Sequence, residues 1–476
     1  MIAPSADGAA VVPLGPLGRG HRTVRARARR GPFGGAWAES DLYLPEWVLP
    51  DATAGDDFAR WLSYREPAGA GQGGEISTPD VKLAHPRAGT RGRRDAAGKY
   101  QTLMADVIAT DHDDAGVALG LQIERLVTYQ GVNSLMTGLV TGSPGTPPTG
   151  WGIPAPAGLT RTLSLDTSSG RPRLRIHYVG APTSNFQFIG FFHPSLTVAA
   201  APGQIWTHAA RFGGQGTGLD AGSLSIAVWE TDAANTLLRS SNLGGVAPLA
   251  HLRRSKSLTV GAGTAFLRFL FATGIIAAAT PCDFWIDIEC PTLTQTSYLP
   301  SEYLVGTSAL TRAPDTASAA LGDWFGAAGT LLSEYLLPAA VPSALGNAFI
   351  ASLSDGTIDN EVALFASYAG NPAAGIVMSE GALEANIYLA GAVTAGQIVR
   401  QSMAWQAGDA RLVAGAVAGV PDTTVVAPDG LTTLQLGRRA DGTFAMEGWL
   451  RRWFYVPRAM TTPEIQAAHS WLEANP

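Results

Sequence analysis

The sequence predicts a mainly β protein of sandwich type behind an extended N-terminal arm. Three observations carry this expectation. Charged residues fill 15% of the 476 positions, against roughly 25% in average soluble proteins, and Gly and Pro punctuate the chain throughout, as in turn-rich β proteins. Short runs of alternating polarity recur at 174–178 (Leu-Arg-Ile-His-Tyr), 224–228 and 284–288, bounded by Gly, Pro, Asn or Asp. Such runs mark the half-buried strands of sandwiches. Only 462–472 reads as helix: Thr462 is placed to cap it, Pro463 suits the first turn, Glu464 favours the N-terminal dipole, and Ile465, Ala468 and Leu472 share one face.

The 46% apolar content is enough for real cores and excludes a disordered chain. A net charge of −6 argues against a global polyanion-binding surface. The two cysteines, Cys282 and Cys290, rule out a disulfide scaffold or a four-cysteine zinc site. In one extended strand they lie roughly 26 Å apart, beyond disulfide reach, and are expected to be buried thiols. The charge-free apolar stretches are too short, or too broken by Gly and Pro, to reach the ~20 residues of a membrane helix. Residues 1–18 lack a basic region ahead of a hydrophobic run, so no secretory signal is expected, and the protein reads as soluble and made in the cytoplasm.

Along the chain, residues 1–75 stand apart. Arg22, Arg25, Arg27 and Arg29 belong to a dense arginine run at 19–30 without a nearby acid. A nucleic-acid arm, an arm docking on acidic partner surfaces and a solvated tail are all consistent with it. The acids that follow at 39–57, and the lack of interleaved aromatic residues for base stacking, favour docking, with no specific nucleic acid. A flexible linker follows at 68–74 (Ala-Gly-Ala-Gly-Gln-Gly-Gly). The segment 76–125 is too short and interrupted for its own core and is expected to lend strands to a sandwich.

Tests for chemistry mostly come back empty. The sequence holds no phosphate loop, no His-Glu-x-x-His and no Gly-x-Ser-x-Gly. Asp111-His112-Asp113-Asp114 offers hard ligands, but neighbouring residues on a strand alternate faces and cannot converge on one ion; a turn fits better. In the strand around 283–289, Cys282, Phe284, Ile286, Ile288 and Cys290 share the core parity, leaving Asp283, Trp285, Asp287 and Glu289 on the other face. At i, i+2 Asp287 and Glu289 are about 6.6 Å apart, formally compatible with glycoside cleavage. Solvent-facing alternation produces such pairs in most sandwiches. An aromatic platform flanked by acids is the chemistry that holds a sugar ring, and these four residues are the candidate glycan-binding set. No catalytic residue, metal ligand or cofactor is expected.

Several motifs carry a family resemblance. Met104-Ala105-Asp106-Val107, Asp111-His112-Asp113 and Leu119-Gly120-Leu121-Gln122-Ile123-Glu124 resemble a segment of phage and prophage virion proteins that precedes a carbohydrate-binding-module-like jelly roll. Gly203-Gln204-Ile205-Trp206-Thr207 resembles a motif inside that module. Thr296-Ser297-Tyr298-Leu299-Pro300 and Thr311-Arg312-Ala313-Pro314-Asp315 resemble its exit. Farther on, Leu353-Ser354-Asp355-Gly356-Thr357, Leu434-Gln435-Leu436-Gly437-Arg438, Gly448-Trp449-Leu450-Arg451-Arg452 and the closing helix are similar to laminin-G or concanavalin-A-like sandwiches.

The resemblance covers about residues 80–476 and implies a connecting segment at 76–125, a jelly roll at 126–300, a linker at 301–317 and a laminin-G-like sandwich at 318–476; residues 1–75 match nothing in it, which fits an arm anchored in the particle through Arg22, Arg25, Arg27 and Arg29. By the same analogy the protein is expected to be a spike or fibre adhesin of a phage or gene transfer agent, a homo-oligomer in the virion, without membrane insertion. Its partners are expected to be host cell-surface polysaccharide, bound without cleavage, and other virion proteins. A capsule depolymerase and a purely structural virion component are the alternatives.

Overall fold

The computed structural model describes residues 83–84 and 90–475, except 108–109, 114, 191–197, 220–223, 244–250, 298, 300, 323–324, 339–340, 342–345 and 369–371. It adds the backbone of five short strands between residues 23 and 77. Nearly all of it is β, in two sandwiches.

In the first sandwich, one sheet runs in the order Leu159–Asp166, Arg173–Gly180, Cys282–Thr294, Ile205–Thr217, Leu252–Thr259. Its partner sheet runs Phe186–Gly190, Phe266–Ile276, Ser225–Thr231, Leu237–Leu243. Alternation puts Leu174, Ile176, Tyr178, Phe212, Phe284, Ile286 and Ile288 between them, against Ile226 and Phe271. Cys282 and Cys290 are buried and free.

The second sandwich pairs a sheet from Ala317–Ala320 to the edge strand Ala382–Leu389 with a larger sheet centred on Gly329–Leu336 and Gly448–Val456. Trp405, Trp453, Tyr335 and Tyr455 fill its core. Helix Thr462–Ala474 closes the outer side of the larger sheet, burying Ile465, Ala468, His469 and Leu472. Its cap lies one residue earlier than Thr462. Glu464 reaches back to accept the Thr461 backbone N–H at 2.7 Å, so Thr461 takes that place.

The first sandwich is inserted into the second. Ala118–Ile123 pairs with Gly448–Leu450 before the chain leaves, and Ala317–Ala320 rejoins the second sandwich after it returns. Gly120 makes this crossing possible: its φ is +111°, and a Cβ there would run into the Leu450 carbonyl. The two crossing strands, Val127–Tyr129 and Leu310–Arg312, pair with each other, so part of the expected linker at 301–317 belongs to the first sheet. Three motif residues meet at this neck. Arg312 lies 2.7 Å from the Glu124 carboxylate and 3.1 Å from Asp315, all three buried. The Glu124 N–H donates to the Asp315 carboxylate at 3.1 Å.

Strands were not expected in the arm. Ala54–Asp57 pairs with Tyr455–Arg452, and Leu62–Arg65 and Glu75–Ser77 continue outward from it. The larger sheet has an open edge there, and backbone pairing can fill it without the apolar alternation that would announce a strand in the sequence. Thr23–Arg25 pairs with Asp41–Tyr43, setting Arg25 opposite Asp41 in register. Arg22, Arg27 and Arg29 lie outside the described residues.

Candidate functional site

The strand Cys282–Thr294 sits between Arg173–Gly180 and Ile205–Thr217, and register decides what its polar face meets. Trp285 lies opposite His177 and Gln215, Asp287 opposite Arg175, and Glu289 opposite Arg173 and Arg211. All four sequence candidates share this face, as the alternation requires. They do not share an environment.

Trp285 is half-buried. The Arg175 guanidinium lies over its ring, 5.2 Å from the centroid, and the His177 ring meets it edge-on at 6.1 Å. His177 Nε2 is 2.7 Å from a carboxylate oxygen of Asp283, whose side chain is 65% exposed. Gln215 and Thr217 are exposed on the adjoining strand. Together these present an aromatic ring beside an imidazole, a carboxylate, an amide and a hydroxyl.

Asp287 and Glu289 were expected on an exposed face as members of the candidate glycan-binding set, and both are instead buried. Asp287 is buried and accepts both arms of Arg175, at 2.8 and 2.7 Å, and the hydrogen bond to this carboxylate raises the guanidinium pKa. Glu289 is 1% exposed and lies 2.5 Å from Arg171. Arg171 also pairs with Glu302, which in turn lies 2.8 Å from Arg211 and 3.4 Å from Arg94. Tyr100 closes the cluster under the Arg171 guanidinium, 4.9 Å from it. Burial pulls the nearby Arg253 down to about 10. These charges come from 94, 171, 211, 253, 289 and 302, separations that a strand-by-strand reading of polarity does not see.

Arg175, His177 and Gln215 were missed as site residues. The signal for two of them was present: Leu-Arg-Ile-His-Tyr at 174–178 alternates, and pairing it with 284–288 in register puts Arg175 and His177 beside Trp285.

The Asp111-His112-Asp113-Asp114 group resolves into braces. Asp111 accepts the Arg94 N–H at 2.9 Å and the Trp449 indole N–H at 3.0 Å, tying the hairpin Arg91–Arg94/Tyr100–Leu103 to the second sandwich. Asp113 accepts the N–H groups of Ala115 and Val117 in a turn. Asp114 lies outside the described residues, among which no group of three His, Cys, Asp or Glu side chains is placed to hold a metal.

No family model and no curated protein matches this sequence. Solved structures that are similar in part include the following three. The CBM40 of a Ruminococcus gnavus IT-sialidase, bound to α2,3-sialyllactose, is 15% identical over 30% of this chain and 82% of its own, with a TM-score of 0.26. Domain 4 of AbnA, an extracellular arabinanase of Geobacillus stearothermophilus in complex with arabinotriose, is 10% identical over 37% and 82%, with a TM-score of 0.27. Domains LG4-5 of the mouse laminin α1 chain are 10% identical over 59% and 89%, with a TM-score of 0.23. The reading of the site rests on its own geometry.

Proposed function

We propose that this chain is a glycan-binding protein that holds polysaccharide on the polar face of its first sandwich without cleaving it. With the phage-virion resemblance of its motifs, we infer the role of a spike or fibre adhesin for host cell-surface polysaccharide, carried on a phage or phage-like particle. The observation that carries the binding reading is the Trp285 platform with His177, Asp283 and Gln215 around it: an apolar ring for a sugar's C–H face, and planar polar groups for its hydroxyls. Support for binding without cleavage comes from Asp287 and Glu289. Each is held by a guanidinium, so neither is free to donate a proton to a glycosidic oxygen or to attack a sugar carbon.

The test is incubation of the full chain with purified capsular polysaccharide, followed by co-elution and by the polymer's length. Retention at unchanged length is expected. Trp285→Ala removes a stacking surface worth about 1.5–3 kcal/mol, and affinity should fall roughly 10- to 150-fold with folding intact. A shortened polymer overturns the non-cleaving role; unchanged affinity in Trp285→Ala overturns the site.

A further inference from the structure

A second polar groove opens on the other sandwich, far along the chain from Trp285. The edge strand Ala382–Leu389 buries Ala385, Ile387 and Leu389 and turns Asn386 and Tyr388 outward. A loop following Val417–Ala418 runs alongside, leaving a shallow, open groove of about 470 Å³ between Asn386 and Tyr388 on one wall and Val420, Pro421, Asp422 and Thr423 on the other.

Both walls are fixed before any ligand arrives. Tyr388 meets Phe365 edge-on at 6.1 Å, and Phe365 stacks on Phe349 at 4.9 Å, so the half-exposed phenol ends a run of packed rings. The loop is pinned at both ends: Gly419 donates to the Leu412 carbonyl at 2.9 Å, Asp422 and Ala410 exchange backbone bonds at 2.9 and 2.8 Å, and Val426 donates to Glu384 at 3.0 Å. Close approach demands glycine at 419, where a Cβ would stand 2.6 Å from the Ile387 side chain. This pinned loop holds Val420 in solvent at 86% exposure, an apolar surface at the groove's lip that gains burial once an occupant covers it.

We propose that this groove binds a neutral pyranose or furanose residue of a polysaccharide, giving the chain a second glycan site. Tyr388 and Val420 suit the C–H face of a sugar, and the Asn386 amide and the Asp422 carboxylate suit its hydroxyls. One Asp422 oxygen accepts the Thr424 N–H at 3.0 Å and hydroxyl at 2.8 Å, which orients the carboxylate and holds its pKa below the usual range. The lining contains a carboxylate and no cationic side chain, which disfavours an acidic sugar. A single aromatic wall, rather than a cage, is a poor fit to an ammonium ligand. The proposal extends the glycan-binding reading to the second sandwich but uses none of the residues around Trp285.

The test is affinity electrophoresis of the full chain through gels containing galactomannan, dextran or arabinan, with alginate as the acidic comparison and choline as a cationic competitor. At least one neutral polymer should retard the protein, and Tyr388→Ala and Asn386→Ala should each weaken that retardation tenfold or more, while Trp285→Ala retains the part contributed by this groove. Melting temperature checks folding; if Tyr388→Ala melts early, Asn386→Ala and Val420→Asp carry the comparison. No retardation by any neutral polymer, unchanged retardation in the groove variants, or release by choline overturns the proposal. Loss in Trp285→Ala alone leaves the first site standing and removes this one. Loss in the groove variants alone does the reverse.

Discussion

His208 should make the fold lose stability in acid. It points into the first sandwich between Phe269 and Phe271 of the opposite sheet, with ring centroids 5.4 and 5.0 Å away. It is 3% exposed, and its Nδ1 has no hydrogen-bond partner among the described residues. Burial pushes its pKa from 6.5 down to about 3. The unfolded chain therefore takes up a proton below about pH 6.5 while the folded chain does not, so stability present above that pH is lost as the pH falls toward 3. At pH 5 the gap from 6.5 amounts to about 2 kcal/mol at 1.36 kcal/mol per unit. Substituting leucine removes the proton site and leaves an apolar side chain in an apolar place. Urea unfolding of the wild type and His208→Leu, each at pH 7.5 and pH 5, isolates the effect from Asp, Glu and the other histidines. The wild type should lose about 2 kcal/mol more than the variant between the two conditions. Equal losses would refute the reasoning, because they would mean that this imidazole is solvated or paired in the folded state.

Two further perturbations address the neck and the crossing. Arg312→Met leaves the buried carboxylates of Glu124 and Asp315 without their counter-ion and should cost about 3–5 kcal/mol in urea unfolding; a loss below about 1 kcal/mol would show that they find other partners. Gly120→Ala forces a side chain into a left-handed backbone against the Leu450 carbonyl and should cost about 1–3 kcal/mol, whereas a melting temperature within a degree of wild type would mean that the strand shifts freely.

The sequence carried the two sandwiches because their cores obey period two: Phe284, Ile286 and Ile288 face inward as their spacing demands. It carried Trp285 for the same reason. It did not carry the fate of Asp287 and Glu289, since parity assigns a side to each residue but not the guanidiniums that arrive from other strands. The motif residues at the neck were visible in the sequence as a pattern, but their physical role was not. Glu124, Arg312 and Asp315, two of them almost 200 positions apart from the first, meet at one neck. The groove at Tyr388 left no trace in the sequence, because it depends on a loop laid along a sheet edge.

The insertion also sets an order of events during synthesis. Ala118–Ile123 leaves the ribosome early, but its partner strand at Gly448–Val456 follows more than three hundred residues later, an interval of some tens of seconds at about 5–20 residues per second. The inserted sandwich has its own core and can fold inside that interval, with its two crossing strands zipped before the second sandwich can close around them. A chain interrupted after residue 312 would then display a finished first sandwich on an unfinished host domain, with an apolar strand waiting for its mate and open to capture by a chaperone or by another nascent copy.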